Sequence, residues 1–132
     1  MATVNRLLLD THAFIWWLEG NDRLTKVVQE LIADEITQVF ISAATAWEIS
    51  TKFRIGKLPG AAAVASDIFS CMAAQGFESL PISIEHAQRA GALPGLHRDP
   101  FDRMLAAQAQ AENLPIASID AVFDDFGVIR IW

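Results

Sequence analysis

Five short apolar runs, each unbroken rather than alternating, set the strongest limit on how this chain folds. They are Leu7-Leu8-Leu9, Val39-Phe40-Ile41, Ser79-Leu80-Pro81-Ile82, Pro115-Ile116-Ala117-Ser118-Ile119 and Val128-Ile129-Arg130-Ile131. A strand with one wet face alternates apolar and polar residues, whereas a strand covered on both faces reads as a continuous apolar run. Between the runs the pattern is helical, over 11–19, 24–34, 43–55, 61–74, 84–90 and 100–112. The stop signals are Gly20, Gly56, Gly76, Gly91 and the pair Asn113 and Pro115. Strands alternating with helices predict an α/β sandwich around a mainly parallel five-stranded sheet. The hydrophobic fraction of 52% supplies a core, and 132 residues suit a single domain over 1–132.

In such sheets ligands bind outside the carboxyl ends of the strands. Asp10 directly follows the first run and Asp120 the fourth. Glu48 lies about a turn and a half into the helix after the second run. Asp102 opens the helix before the fourth, behind an Asp99-Pro100 start that reads as an N-cap with proline at the first helical position. Each acid also has a purely structural reading. Asp10 and Asp120 can cap the segments that follow them, Asp102 can favour the helix dipole, and Glu48 can pair with Lys52 one turn on. Taken together the structural readings weaken. Glu48 sits among Ala44, Ala46, Trp47 and Ile49, where a carboxylate needs a partner. A shared cation would stabilise several such acids, and hard oxygen ligands suit Mg²⁺.

The net charge of −6 argues against a broad basic face for nucleic acid, but acids gathered at a metal site contribute to that charge. His12, His86 and His97 are too dispersed for a zinc cluster, and His86 reads as a surface helix position. Cys71 is the lone cysteine, which excludes an internal disulfide; its apolar neighbours predict a buried thiol. The apolar run near the N-terminus is too short for a signal peptide or a membrane span, so a cytoplasmic protein with no membrane partner is expected.

Four segments resemble the acidic motifs of the PIN-domain family, and within it the VapC-type toxins of type II toxin–antitoxin systems. Leu7-Leu8-Leu9-Asp10-Thr11-His12 is similar to the first motif, and Ser42-Ala43-Ala44-Thr45-Ala46-Trp47-Glu48-Ile49 to the second. The stretch from His97 through Asp99-Pro100-Phe101-Asp102-Arg103 to Ala109 is similar to the third and is the most specific; Ser118-Ile119-Asp120 is similar to the fourth. The resemblance implies a PIN-like three-layer sandwich. It also implies a pocket of Asp10, Glu48, Asp102 and Asp120 for Mg²⁺ or Mn²⁺, and metal-dependent endonucleolytic cleavage of RNA. A homodimer held inactive by a cognate antitoxin is implied as well.

On this reading Asp10 and Asp102 hold an ion that activates water, while Glu48 and Asp120 hold a second ion or orient the water. Thr11 and Ser118 adjoin site acids and are candidates to support them. Asp99, before the third acid, is a feature of a subgroup of the family, and Arg98 and Arg103 flank that acid as candidate phosphate contacts, with a surface ion pair as the alternative for either. The antitoxin is expected on apolar surface near the first two helices, which carry Phe14, Ile15, Trp16, Trp17 and Leu18, then Leu24, Val27, Val28, Leu31 and Ile32. The competing reading is a non-catalytic interaction module of the same fold. A haloacid-dehalogenase-like phosphohydrolase fits less well, because it needs an Asp where His12 stands, and a receiver domain lacks its phosphoacceptor Asp after the third run.

Overall fold

The computed structural model describes residues 4–95 and 97–132. Strands β1 (Arg6–Leu9), β2 (Gln38–Ser42), β3 (Glu78–Leu80), β4 (Ile116–Ala117) and β5 (Arg130–Ile131) form one sheet in the order β3-β2-β1-β4-β5. Every pairing is parallel. The helices are α1 (Thr11–Glu19), α2 (Lys26–Ala33), α3 (Ala43–Arg54), α4 (Ala62–Ser66), α5 (Ile68–Ala74), α6 (Ile84–Ala92) and α7 (Pro100–Glu112).

The unbroken apolar runs now have their explanation. Side chains alternate across a strand, and here both faces are covered. Leu7, Leu9, Val39, Ile41 and Ala117 pack with Phe14, Trp16, Val28 and Ile32 from α1 and α2. Leu8, Phe40 and Ile116 pack on the other side with Leu105, Ala106 and Ala109 of α7, joined by Phe123 and Phe126. Leu7, Leu8 and Leu9 are each fully buried, a position that stabilises by roughly 1.5–3 kcal/mol per side chain relative to exposure. The result is the expected three-layer sandwich.

Several elements differ from the sequence reading. The helix expected over 61–74 is split, because Asp67 turns out of helical geometry and caps α5 by accepting from the Ser70 N–H. A 3₁₀ turn, Pro59–Ala61, precedes α4, and a second, Ala121–Phe126, delivers Phe123 and Phe126 to the core. α6 runs through Gly91 to Ala92 and stops before Leu93-Pro94, since a residue preceding proline is pushed away from helical angles. β3 ends at Leu80, because Pro81 has no N–H for the ladder. Leu96, between α6 and α7, lies outside the described residues, as do Met1, Ala2 and Thr3 of the N-terminal stretch read for a signal peptide.

His86 is buried rather than on the surface. Its Nδ1 accepts from the Ser83 N–H at the start of α6, and its Nε2 lies 3.0 Å from Glu112. Cys71 is half-buried, not enclosed. The apolar excess expected on α1 and α2 is mostly absorbed: Trp16 is buried against Trp132, and the half-buried Trp17 donates its indole N–H to Gln75. Val27 is the large apolar residue of the pair that stays exposed, whereas α3 exposes Trp47 and Phe53, and Ile55 just after it is exposed too.

Candidate active site

The sheet reverses its strand order between β1 and β4, the place where open parallel sheets bind ligands. Leu9 and Ala117 are register partners across that junction. The next residues, Asp10 and Ser118, therefore leave adjacent strands side by side, and the Asp10 N–H still donates to Ala117 O at 3.1 Å. On the other flank Leu9 pairs with Ile41, so Ser42 and the start of α3 lie level with Asp10. Four acids expected from the sequence reach one cavity of about 380 Å³: Asp10, Glu48, Asp102 and Asp120 line it together with Thr11, His12, Lys52 and Asp99. A larger hollow of about 610 Å³ opens at the opposite end of the sheet, with Arg6 as its one ionisable lining residue among the described residues. It holds no set of groups for chemistry.

The structural readings of the acids turn out to hold alongside their convergence. Asp10 caps α1 by accepting from the Ala13 N–H at 2.8 Å, and Asp120 accepts from the Val122 N–H at 3.0 Å. Asp99 caps α7, accepting from the N–H groups of Phe101 and Asp102. It thereby fixes the first turn that carries Asp102. Ser118 is fully buried, and its hydroxyl accepts from the Asp120 N–H while lying beside Asp10. Thr11, also buried, donates its hydroxyl to Glu48 Oε1. Glu48 Oε2 takes the Lys52 ammonium, so the helical pair read from the sequence is present, with Glu48 buried.

Electrostatically the site is poised for positive charge. Burial pushes the Asp10 carboxyl above its ordinary range; the Ser118 hydroxyl, the Ala13 N–H and His12 pull it down, and Glu48 pushes it up. Burial likewise raises Asp102, against the His97 hydrogen bond and with the charges of Asp99 and Glu48, to about 6. Crowded, partly desolvated carboxylates of this kind favour either a proton or a cation. Among the described residues no three His, Cys, Asp or Glu side chains enclose an ion by themselves. The donor set is all hard oxygen in a roomy, water-accessible pocket. That suits Mg²⁺ or Mn²⁺ with a retained water shell, since Mg²⁺ is commonly held by one or two carboxylates plus several waters.

Two residues near the third acid behave differently from expectation. Arg103 is not placed for phosphate: its guanidinium donates to the carbonyls of Ala90, Gly91, Leu93 and His97. The C-terminal carbonyls of α6 lack helical partners, and a planar five-donor fork satisfies them while pinning the loop after α6. His97, at the end of that loop, places Nε2 3.0 Å from Asp102 Oδ2. Its five-residue spacing from Asp102 gave no helical or strand signal that would have paired them. Gln108 was also missed. Fully buried, it accepts from the Ser42 hydroxyl and donates to Pro81 O, tying α7 to the carboxyl edge of β2 and β3.

Residues 7–129 match the PIN-domain profile. The chain belongs to the PIN-domain family. Solved structures superpose over most of its length. A VapBC complex from Rickettsia felis, bound to a promoter DNA fragment, has a TM-score of 0.70 at 20% identity, covering 96% of this chain and 97% of that one. A toxin–antitoxin complex from Klebsiella pneumoniae has 27% identity and a TM-score of 0.61, covering 87% of each chain. A VapC toxin from Mycobacterium tuberculosis that cleaves the sarcin–ricin loop has 14% identity and a TM-score of 0.64, covering 95% and 98%. No curated protein sequence matches the chain.

Proposed function

We propose that this PIN domain is a divalent-metal-dependent endoribonuclease and the toxin of a toxin–antitoxin pair. The observation that carries the reading is the placement of Asp10, Glu48, Asp102 and Asp120 around one cavity at the strand-order reversal. The similarity to toxin–antitoxin complexes supports the biological setting, and that to a toxin that cleaves the sarcin–ricin loop supports RNA as substrate.

Mg²⁺ or Mn²⁺, when bound, lowers the pKa of a coordinated water and offsets charge on the scissile phosphate. Asp10 and Asp102, the two acids held above their usual range, are the groups that gain most from a cation and are assigned to hold it. Glu48 and Asp120 complete the acidic wall, where they would hold a second ion or orient water. Thr11 fixes Glu48 through its hydroxyl, Ser118 orders the turn to Asp120, and His97 steadies Asp102. Asp99 acts through the α7 cap rather than by direct contact.

The reading extends to one domain over 1–132, a homodimer, a cytoplasmic setting and a cognate antitoxin as inhibitor. Among the described residues no helix is long and apolar enough to cross a membrane. Incubation of purified protein with total RNA in Mg²⁺ tests the activity. Wild type should cut internally, excess chelator should stop it, and Asp10→Asn should be inert while remaining folded. Cleavage that persists in chelator, or an active Asp10→Asn, sinks the reading.

A further inference from the structure

Glu48 is buried, and side chains of this chain engage both its oxygens: Oε1 accepts from Thr11, and Oε2 is paired with the Lys52 ammonium. Among the described residues Lys52 is the one Lys or Arg lining the acid cavity. Its side chain is 30% exposed against 6% for Glu48, so the pair straddles the cavity wall and its mouth. The Lys52 ammonium is the cation that faces Glu48 across this cavity. Arg103 does not compete for this part, since it is committed to four backbone carbonyls.

We propose that Lys52 is an exchangeable counter-ion of the active site: it neutralises Glu48 while the pocket lacks a divalent ion, and turns to an RNA phosphate oxygen when such an ion takes over Glu48. The proposal rests on the ribonuclease reading and assigns the phosphate contact that Arg103 does not make. Three features favour exchange over a simple surface pair. A helical pair of exposed residues has no buried member, whereas here the acid is enclosed and its partner is not. A lysine head is a compact point charge on a four-carbon flexible stem, able to re-aim without moving the backbone. And a chain of net charge −6 offers RNA little other attraction at this pocket.

The test uses the full chain with Lys52→Gln, which keeps a hydrogen-bond donor for Glu48 without charge, and Lys52→Arg, which keeps the charge. Three quantities are read: melting temperature in chelator, Mn²⁺ affinity by calorimetry, and affinity for a short single-stranded RNA in Ca²⁺ by fluorescence anisotropy. Lys52→Gln should melt lower in chelator, bind Mn²⁺ at least threefold more tightly, because a competing cation is gone, and bind RNA at least threefold more weakly. Lys52→Arg should restore RNA binding at least in part. Unchanged Mn²⁺ and RNA affinities in Lys52→Gln would reduce Lys52 to a helix pair, and weaker Mn²⁺ binding would make it a positioning residue; either overturns the exchange. Failure of the wild type to bind Mn²⁺ at all instead overturns the ribonuclease reading, and this role with it.

Discussion

Asp102→Asn, examined in chelator, measures how strongly the site is biased toward a cation. The folded protein raises the Asp102 carboxyl from 3.8 to about 6. A carboxyl whose ionisation is delayed in the folded state costs stability as pH rises from its unfolded value to its folded one, and the full cost persists above that window. At 1.36 kcal/mol per pH unit the cost at neutral pH is at most ~3 kcal/mol. The side chain retains 21% exposure, and solvent screening reduces this to roughly 1–2 kcal/mol. A charged residue in the first turn of α7 also gains from the helix dipole, typically 0.3–1 kcal/mol at about this depth, which the variant forgoes. The net gain for Asp102→Asn at pH 7.5 is about 1 kcal/mol. For a chain of this size that corresponds to a melting temperature higher by about 3–5 °C. Melts followed by circular dichroism at half-unit steps should show the two proteins alike near pH 4, the variant pulling ahead up to pH 6, and a constant gap above. Saturating Mn²⁺ should reverse the order by stabilising wild type alone. An Asp102→Asn protein that melts well below wild type at pH 7.5 in chelator would refute this reasoning, because the acid would then be a structural cap.

Arg103→Ala should lower stability by about 2–4 kcal/mol in urea titrations, since it strands buried carbonyls around the end of α6; unchanged stability with weakened RNA binding would instead reinstate a phosphate contact. We assign the proposed homodimer to the exposed apolar residues of α3, so the double variant Trp47→Ala and Phe53→Ala should shift sedimentation from dimer to monomer. A wild type that sediments as a monomer at tens of micromolar would remove the dimer from the account.

The parts of the fold legible in the sequence are those encoded locally. Each apolar run carries its own strand signal, and Asp10 stands directly after β1, with Asp120 three residues past the end of β4, so their edge placement required no tertiary knowledge. Asp99-Pro100 announced the start of α7, and Gly20, with φ of 65°, closes α1 where a left-handed residue was expected. What stayed hidden depends on partners distant in the chain. Gln108 meets Ser42 across 66 residues, and His86 is buried because Glu112 and Gln108 supply polar partners from α7. Arg103 reads as a phosphate ligand until the free carbonyls of α6 lie against it. The Glu48–Lys52 pair was visible as spacing, but burial of one member gives it a meaning that spacing cannot carry. The apolar faces of α1 and α2 looked excessive because α5 and Trp132, which help to cover them, are not adjacent in sequence.

Calorimetric titration of Mn²⁺ into wild type, Asp10→Asn and Asp102→Asn, paired with RNA cleavage on the same samples, tests the central claim that the acids form one cation site serving catalysis. Wild type should bind Mn²⁺ and cleave, and each variant should lose at least tenfold in Mn²⁺ affinity together with its cleavage. Variants that bind Mn²⁺ as wild type does, or that cleave RNA without binding it, would contradict the account.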